Sequence, residues 1–335
     1  MAIILDDITL KSSFYPFTNT RSLGDLRMGI FTFCERWSVK TGDSIYVISE
    51  VKDDHSYQYH ERLPANVLVD EFSEMGEEKI EVLSPWDMIK NNSTAIKIDF
   101  KLVSKNKTSE KLSITNNLIN EPNIFVEKGV KAEFVTLNAS GGPIYIGKNA
   151  EIMEGSIIRG PVAICEGAIV KMGSKIYGGT TIGPYCVASG EIKNAILSGY
   201  SNKSHEGYLG DSLIGYWCNL GAGTSNSNVK NTAGNIKVWN HQTSSFVDNG
   251  TKCGMLMGDY SRSAINTSFN TGTVVGTCCN IFGSGFPEKF IGDFSWGTEK
   301  YKLDKALTDI EKWKALKGRN LTNKEKKALT ELYDN

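Results

Sequence analysis

Between Ile146 and Val187 the chain consists of seven consecutive six-residue units: IGKNAE, IMEGSI, IRGPVA, ICEGAI, VKMGSK, IYGGTT and IGPYCV. Each unit begins with Ile or Val, and a small or β-branched residue or Cys follows four positions later. Neither an α-helix nor an ordinary strand has a period of six, whereas hexapeptide repeats are typical of a parallel β-helix. We therefore predict a coil of short parallel strands, with the aliphatic residue pointing inward and the smaller one near a corner.

Glycine precedes the small residue in four of the seven units, at Gly155, Gly167, Gly173 and Gly179. Glycine adopts positive φ without a steric penalty, which a tight corner between two strands requires. The pattern therefore predicts that these four residues form corners of the coil.

The six-residue frame shifts by two after Ile182, and it is predicted to resume at Ile196, Tyr208, Ile214 and Leu220. The shift surrounds the polar segment Ser198–Glu206, which we expect to be a loop outside the coil. Further breaks are predicted at Asn226–Trp239 and Gly258–Asn270, before the pattern closes with Val274–Phe282. Loops on a rigid solenoid commonly carry its function.

The composition excludes some classes of partner. A chain of 335 residues with a formal net charge of −1 lacks the basic character expected for binding nucleic acid or an anionic membrane. No signal peptide and no membrane span of roughly 20 apolar residues is evident. Three of the seven cysteines lie in repeat-like segments, at Cys165, Cys186 and Cys218, and none has metal-type spacing. We predict a cytoplasmic protein with reduced thiols and no metal site.

The segments before and after the repeats differ from them. Short strands at Ala2–Leu5, Ser44–Ile48 and Ala65–Val69 and helices at Leu23–Trp37 and Pro85–Lys90 predict a small α/β domain at the N-terminus. Ser84 is the expected N-cap of the second of these helices.

The C-terminal segment has apolar residues at helical spacing from Leu303 to Leu316, and Thr322 with Glu325 resembles a capping box. This tail is expected either to pack on the coil or a neighbouring subunit, or simply to cover its last turn. The predicted domains are residues 1–118, 119–297 and 298–335.

The residues that could perform chemistry concentrate in one window. His205 could take a proton from an amine or alcohol near pH 7, because the unperturbed pKa of imidazole is about 6.5. Glu191 could orient it, and Lys193 could hold a phosphate or carboxylate. A backbone N–H in the segment Gly221-Ala222-Gly223 could approach a thioester carbonyl. Acyl transfer, a merely structural His205 and a weak metal site remain open from chemistry alone.

Three stretches of this window are distinctive: Glu191-Ile-Lys193-Asn, His205-x-x-Tyr208-Leu-Gly-Asp211 and Asn219-Leu-Gly-Ala-Gly-Thr224. In sequence and mutual spacing they resemble the acetyltransferase half of the bifunctional N-acetylglucosamine-1-phosphate uridylyltransferase/glucosamine-1-phosphate acetyltransferase family. The resemblance covers roughly residues 120–285. The segment from Tyr15 to Gly29 looks like the start of a short bacterial variant of that family.

The resemblance implies a fold and an assembly. The fold class is a truncated nucleotidyltransferase-like α/β domain, then a left-handed parallel β-helix, then C-terminal helices. The assembly is a homotrimer with active sites at subunit interfaces, and the implied activity is acetyl-CoA-dependent N-acetylation of an amino-sugar phosphate, most simply glucosamine-1-phosphate.

The resemblance also implies residue roles. His205 would be the general base and Glu191 would support it. Ala222, flanked by Gly221 and Gly223, would lie near the thioester of acetyl-CoA. The residues expected to contact the sugar phosphate are Lys193, Lys175, Tyr208, Asn219 and Asn228.

Two departures from the family pattern concern the acceptor. Lys175 stands where the family has Arg, which replaces a bidentate phosphate clamp with a point charge. Asn228 is followed by Val229 instead of Tyr. Both changes bear on which sugar is bound more than on acyl transfer.

The N-terminal domain lacks the Gly-rich loop that a nucleotidyltransferase needs after its first strand, since Leu5 is followed by Asp6-Asp7. Arg21 and Arg27 are its candidate phosphate contacts, although Arg27 fits a helix salt bridge equally well. The resemblance nevertheless leaves one alternative function, a sugar-1-phosphate nucleotidyltransferase, uridylyl or thymidylyl, that uses Mg²⁺ and has the coil as a trimerisation scaffold. Another is a non-catalytic binding protein.

Overall fold

The computed structural model describes residues 2–6, 10–47, 61–65, 67–70, 78–105 and 107–335. An α/β region is followed by a parallel β-solenoid and by two helices, which confirms the predicted fold class. The first coil strand begins at Asn117, and the division at 118 and 297 stays a prediction. Strand pairing establishes the parallel stacking, while the left hand of the coil is the hand that the resemblance implies.

The solenoid is a prism with three sheets as faces. The first, named the covered face, consists of Ile124–Val126, Ile144–Ile146, Val162–Ile164, Thr180–Ile182, Ile196–Gly199, Leu213–Tyr216, Leu256–Met257, Val274–Val275 and Phe290–Ile291. The second, named the helix face, consists of Lys131–Ala132, Glu151–Ile152, Ile169–Val170, Val187–Ala188, Asn202–Lys203, Asn219–Leu220, Arg262–Ser263, Asn280–Ile281, Ser295–Trp296 and Glu299–Lys300.

The third sheet, named the exposed face, consists of Asn117–Ile119, Thr136–Asn138, Ile157–Arg159, Lys175–Ile176, Glu191–Lys193 and Tyr208–Gly210. A short parallel pair, Ser225–Asn226 with Ser268–Phe269, follows it along the coil. Its outward side chains are largely in contact with solvent, including Ile157 (54% exposed).

The hexad pattern predicts the inside of the prism correctly. All seven aliphatic residues from Ile146 to Ile182 are buried in one continuous core. The smaller residues are also fully buried, and Gly155, Gly167, Gly173 and Gly179 have φ between +61° and +77°. Burial of the inward side chains is the main stabilisation of such a stack.

The predicted continuation of the frame is confirmed at Ile214 and Leu220, which point into the core, and is wrong by one residue at Ile196 and Tyr208. Leu197 and Leu209 point into the core, whereas Ile196 and Tyr208 face outward. A shift of one residue moves every side chain of a strand to the opposite face. Ile196 is buried all the same, because the N-terminal region packs against it.

Two of the predicted loops belong to the coil. Ser198–Glu206 contains parts of the strands Ile196–Gly199 and Asn202–Lys203, and Gly258–Asn270 contains the strands Arg262–Ser263 and Ser268–Phe269. The break at Asn226–Trp239 is real. It opens an insertion that carries an antiparallel hairpin of Lys237–Asn240 and Ser245–Asp248.

The N-terminal region has a parallel sheet of Ser44–Val47, Ala2–Asp6 and Glu61–Pro64, in that order, and an antiparallel pair of Val67–Asp70 and Glu78–Glu81. The predicted strand at residues 65–69 is therefore displaced, since Ala65 lies in a turn. Ile48 lies outside the described residues.

The helix predicted at Leu23–Trp37 is wrong over its first half. A 3₁₀ turn at Leu23–Asp25 and a hairpin of Arg27–Met28 with Phe31–Thr32 precede a helix at Phe33–Thr41. Gly29 causes the difference. It lies in the hairpin turn at φ +78°, and a Cβ there would be 2.3 Å from Asp99 Oδ2.

The second N-terminal helix begins at Pro85 as predicted but extends beyond Lys90 to Ser104. The Ser84 hydroxyl accepts a hydrogen bond from the Asp87 N–H. At the other end, helices Leu303–Ala315 and Asn323–Asp334 form, and the Thr322–Glu325 capping box is confirmed. They pack on the helix face, where the Arg262 guanidinium lies over the Trp313 ring. Within the described ranges, no helix is both long and apolar enough to cross a membrane.

Candidate functional site

Four of the predicted site residues lie together on the exposed face. Lys175 pairs in register with Glu191, and Glu191 pairs with Tyr208. Adjacent strands are about 4.8 Å apart, so these three side chains form one outward column. Lys193 lies in the neighbouring column, opposite Gly210. The arrangement places two exposed cations, a carboxylate and a phenol on one small surface.

The ring of Tyr208 lies over Gly210. A Cβ on Gly210 would be 2.2 Å from the Tyr208 hydroxyl, so a larger residue at position 210 would displace the Tyr208 ring. Burial, with Asp211 and Glu191 nearby, raises the pKa of Tyr208 to about 12. The phenol is therefore protonated at neutral pH and can donate a hydrogen bond.

Asp211 organises the edge of this surface. Its two carboxylate oxygens accept hydrogen bonds from Asn228 Nδ2 at 2.5 Å and from Asn194 Nδ2 at 2.6 Å. Asn228 also contacts the Tyr208 hydroxyl. The sequence motif predicts no role for Asp211, whereas in the structure Asp211 holds Asn228 beside Tyr208.

His205 lies in the corner that leads into the strand of Tyr208. Its side chain is exposed, and Glu191 N–H donates to the carbonyl of Gly207 in the same corner at 3.2 Å. Across the part of the chain that is described, no hydrogen bond joins the imidazole to Glu191. The carbonyl of His205 accepts a hydrogen bond at 2.8 Å from Lys203 Nζ, a contact that the sequence did not predict.

Ala222 occupies the corner of the next coil turn, directly along the prism edge from His205. The N–H groups of Gly221 and Gly223 are bound to the carbonyls of Ser263 and Glu206. Both glycines are needed by the stacking, because a Cβ on either would lie 2.5 Å or less from the following turn. In this corner only the Ala222 N–H donates no hydrogen bond among the described contacts.

Asn219 is separate from the other predicted residues. It lies on the helix face, in register with Asn202 and Arg262, and accepts from Asn202 Nδ2 at 3.4 Å. Within one chain, Asn219 and Lys193 therefore lie on different faces of the prism.

The N-terminal arginines have partners inside the protein. Arg21 forms a buried ion pair with Asp259 at 2.5 Å and stacks on the Tyr216 ring at 3.8 Å. Arg27 donates to both carboxylate oxygens of Glu35. The motif that begins at Tyr15 thus anchors the N-terminal region to the coil, and neither predicted phosphate contact is left without a counter-charge.

Asn19 extends this anchor. Its side-chain amide donates to Thr277 Oγ1 and to Asp293 Oδ1, both at 3.0 Å. Burial raises the pKa of the Asp293 carboxyl.

The residues described include no cluster of three or more His, Cys, Asp or Glu side chains that could hold a metal ion, and all seven cysteines are free thiols.

Comparisons with known proteins agree with the resemblance found in the sequence. A family model described as sugar nucleotidyl transferase matches residues 2–69. The bifunctional protein GlmU of Methanocaldococcus jannaschii is 28% identical over 223 residues, which are 67% of this chain and 47% of that protein. A bifunctional sugar-1-phosphate nucleotidylyltransferase/acetyltransferase of Sulfurisphaera tokodaii is 27% identical, over 40% of this chain and 38% of its own length.

The predicted similarity to this bifunctional family is thereby confirmed. The chain spans about half the length, or less, of these curated relatives. Among solved structures, an Arabidopsis UDP-N-acetylglucosamine acyltransferase matches with 17% identity and a TM-score of 0.20, over 57% of this chain and 69% of that one.

Proposed function

We propose that the protein is an acetyl-CoA-dependent N-acetyltransferase acting on an amino-sugar phosphate, with glucosamine-1-phosphate as the first acceptor to test. One observation carries the proposal: the in-register column of Lys175, Glu191 and Tyr208, with Lys193 beside it, adjoins the corner of His205. The described residues supply no ion-pair partner for Lys175 or Lys193, and both are exposed. They can therefore neutralise an incoming phosphate.

The proposed reaction joins the acceptor nitrogen to the acetyl carbonyl carbon and breaks the carbon–sulfur bond. The nitrogen loses its last excess proton in this step and the departing sulfur gains one, so that CoA leaves as the thiol. His205 takes the proton that the ammonium must lose before its nitrogen can attack. The Ala222 N–H, one turn along the same edge, is suited to stabilise the negative charge on the carbonyl oxygen. Tyr208 donates a hydrogen bond to the acceptor, and Glu191 stabilises the imidazolium.

We further propose that the working unit is a homotrimer. The separation of Asn219 from Lys193 supports this, because the helix face of one copy could complete the exposed face of another. The prism edge between these faces carries the exposed apolar side chains Phe134, Met172 and Ile265, which a neighbouring copy would cover. Light scattering should give about three times the mass of the chain; a monomer with full activity would remove Asn219 from the site.

Because acetyl-CoA and sugar phosphates are intracellular metabolites, we place the protein in the cytoplasm, in nucleotide-sugar biosynthesis.

The match of residues 2–69 favours one alternative, a sugar-1-phosphate nucleotidyltransferase with Mg²⁺ as its metal ion. The two functions separate in paired assays of CoA release and pyrophosphate release. CoA release that requires glucosamine-1-phosphate supports the acetyltransferase. UTP-dependent pyrophosphate release without CoA release would support the alternative.

A further inference from the structure

Lys203 occupies a position that the coil reserves for apolar side chains. It lies in register with Ala188 of the preceding turn, its strand stacks beneath that of Leu220, and only 2% of its surface is exposed. Transfer of an ammonium group into a core is unfavourable unless the charge has a partner. Ala188, which stacks against Lys203, has a small side chain. The Lys203 ammonium donates a hydrogen bond to the carbonyl of His205.

The other four-residue corners on the same prism edge share one construction. In the corners 153–156, 171–174, 221–224 and 264–267, the third residue has positive φ and the fourth carries a hydroxyl. Two of these hydroxyls close their own corner, Ser174 by donating to Lys171 O at 2.5 Å and Thr267 by donating to Ala264 O at 2.8 Å. An internal donor at the end of the corner thus fixes a corner carbonyl.

The corner of His205, residues 204–207, is built differently. Its fourth residue is Gly207, which itself has positive φ (+127°) and no hydroxyl. A Cβ there would be 2.1 Å from Thr224 O, so no serine or threonine fits. The internal donor is instead Lys203 Nζ, and the carbonyl that it fixes belongs to the second residue of the corner, His205.

We propose that Lys203 is a positioning residue, whose ammonium inside the coil fixes the peptide of His205 and thereby the direction in which the imidazole leaves the corner. The inference rests on the proposed role of His205 as general base.

The first test compares Lys203→Met with Ser156→Ala, a matched variant that removes an internal corner donor three turns away from His205. Misplacement of a catalytic group by about 1 Å can cost on the order of 100-fold in rate, so kcat should fall by at least about tenfold in Lys203→Met. KM for acetyl-CoA should stay within about twofold, and Ser156→Ala should keep most of its activity. Equal losses in both variants would contradict the proposal.

A second measurement needs no activity and is made on the wild-type protein, with His205→Asn used only to assign signals. Burial lowers the pKa of Lys203 to about 8, with Glu206 opposing the shift. The NMR signals of the His205 imidazole, assigned by their loss in His205→Asn, should show a step near pH 8 as Lys203 loses its proton. Absence of that step would overturn the inference. If the step is present but His205→Ala retains its activity, Lys203 still fixes the peptide of His205, and His205 is not the base.

Discussion

The covered face and the exposed face are built from the same repeat but have opposite outer surfaces. On the covered face, the outward Ile196 and Leu213 are buried, and Thr181 donates to the carbonyl of Gly29. On the exposed face, the outward Lys175 and Lys193 are in contact with solvent. The inward side chains are fixed by the hexad on both faces. The two faces therefore differ in what their outward side chains contact. Substitutions where the N-terminal region packs on the coil should change stability, and substitutions on the exposed face should change substrate binding.

The largest effect on stability is expected from Arg21→Met. This change leaves the Asp259 carboxylate, whose side chain is 1% exposed, without its ion pair. Breaking a buried pair on one side typically costs about 3–5 kcal/mol of unfolding free energy. Urea denaturation measures it. Lys312→Met, which removes a solvent-exposed pair with Asp309, is the control and should cost less than about 1 kcal/mol. Equal losses would mean that Arg21 does not anchor the N-terminal region.

On the exposed face, Lys193→Ala should affect binding without affecting stability. Loss of one charge-assisted hydrogen bond to phosphate is worth about 1.5–3 kcal/mol, so KM for glucosamine-1-phosphate should rise about tenfold or more. The melting temperature should not change. Lys131→Ala, an exposed lysine of the helix face, should leave both quantities unaltered. A KM that rises in both variants would point to general electrostatic attraction.

A smaller, opposite effect is expected from Lys175→Arg. Arginine offers a planar pair of donors to phosphate, whereas lysine offers a point charge. KM for the sugar phosphate should fall by about threefold with kcat little changed. An increase in KM would indicate that Lys175, which is shorter than arginine, is suited to an acceptor other than glucosamine-1-phosphate.

The smallest effect concerns high pH. The folded-state pKa of Tyr208, about 12, is raised above its ordinary value of 10.0, so the fold favours the protonated phenol. The corresponding stability is present in full below pH 10 and is lost as the pH rises through 12. The difference in urea midpoint between wild type and Tyr208→Phe should therefore shrink between about pH 10 and pH 12. A constant difference would place the Tyr208 hydroxyl in solvent.

Much of the fold could be predicted because the inside of the prism repeats. The prediction failed where the repeat length changes. The corner of Ser189 and Gly190 has two residues where its neighbours have four, and the step from Ile192 to Leu197 is five residues where the preceding step, from Ile176 to Ile182, is six. These two changes together place Leu197 inward and Ile196 outward. The inward orientation of Lys203 was not predicted for a related reason, because a lysine interrupts the aliphatic pattern and is typical of a loop. Gly29 similarly hid a hairpin inside an apparent helix.

The proximity of candidate residues could be predicted where they share a face. Lys175, Glu191 and Tyr208 are 16 and 17 residues apart, close to one turn of the coil, so stacking brings them together. The position of Asn219 on another face and the anchoring of Arg21 depend on how separate parts of the chain pack. A local pattern carries no information about such packing.

The proposed role of His205 is that of the base in an acetyl transfer on the exposed face. The most direct test measures CoA thiol release from acetyl-CoA with glucosamine-1-phosphate, for wild type and His205→Ala together. Loss of a general base typically costs about 10²–10⁴ in rate, so we expect turnover in the wild type and at least a 100-fold loss in the variant. Because the side chain is exposed, the melting temperature should be nearly unchanged. Equal turnover in both proteins, or none in the wild type, would contradict the account.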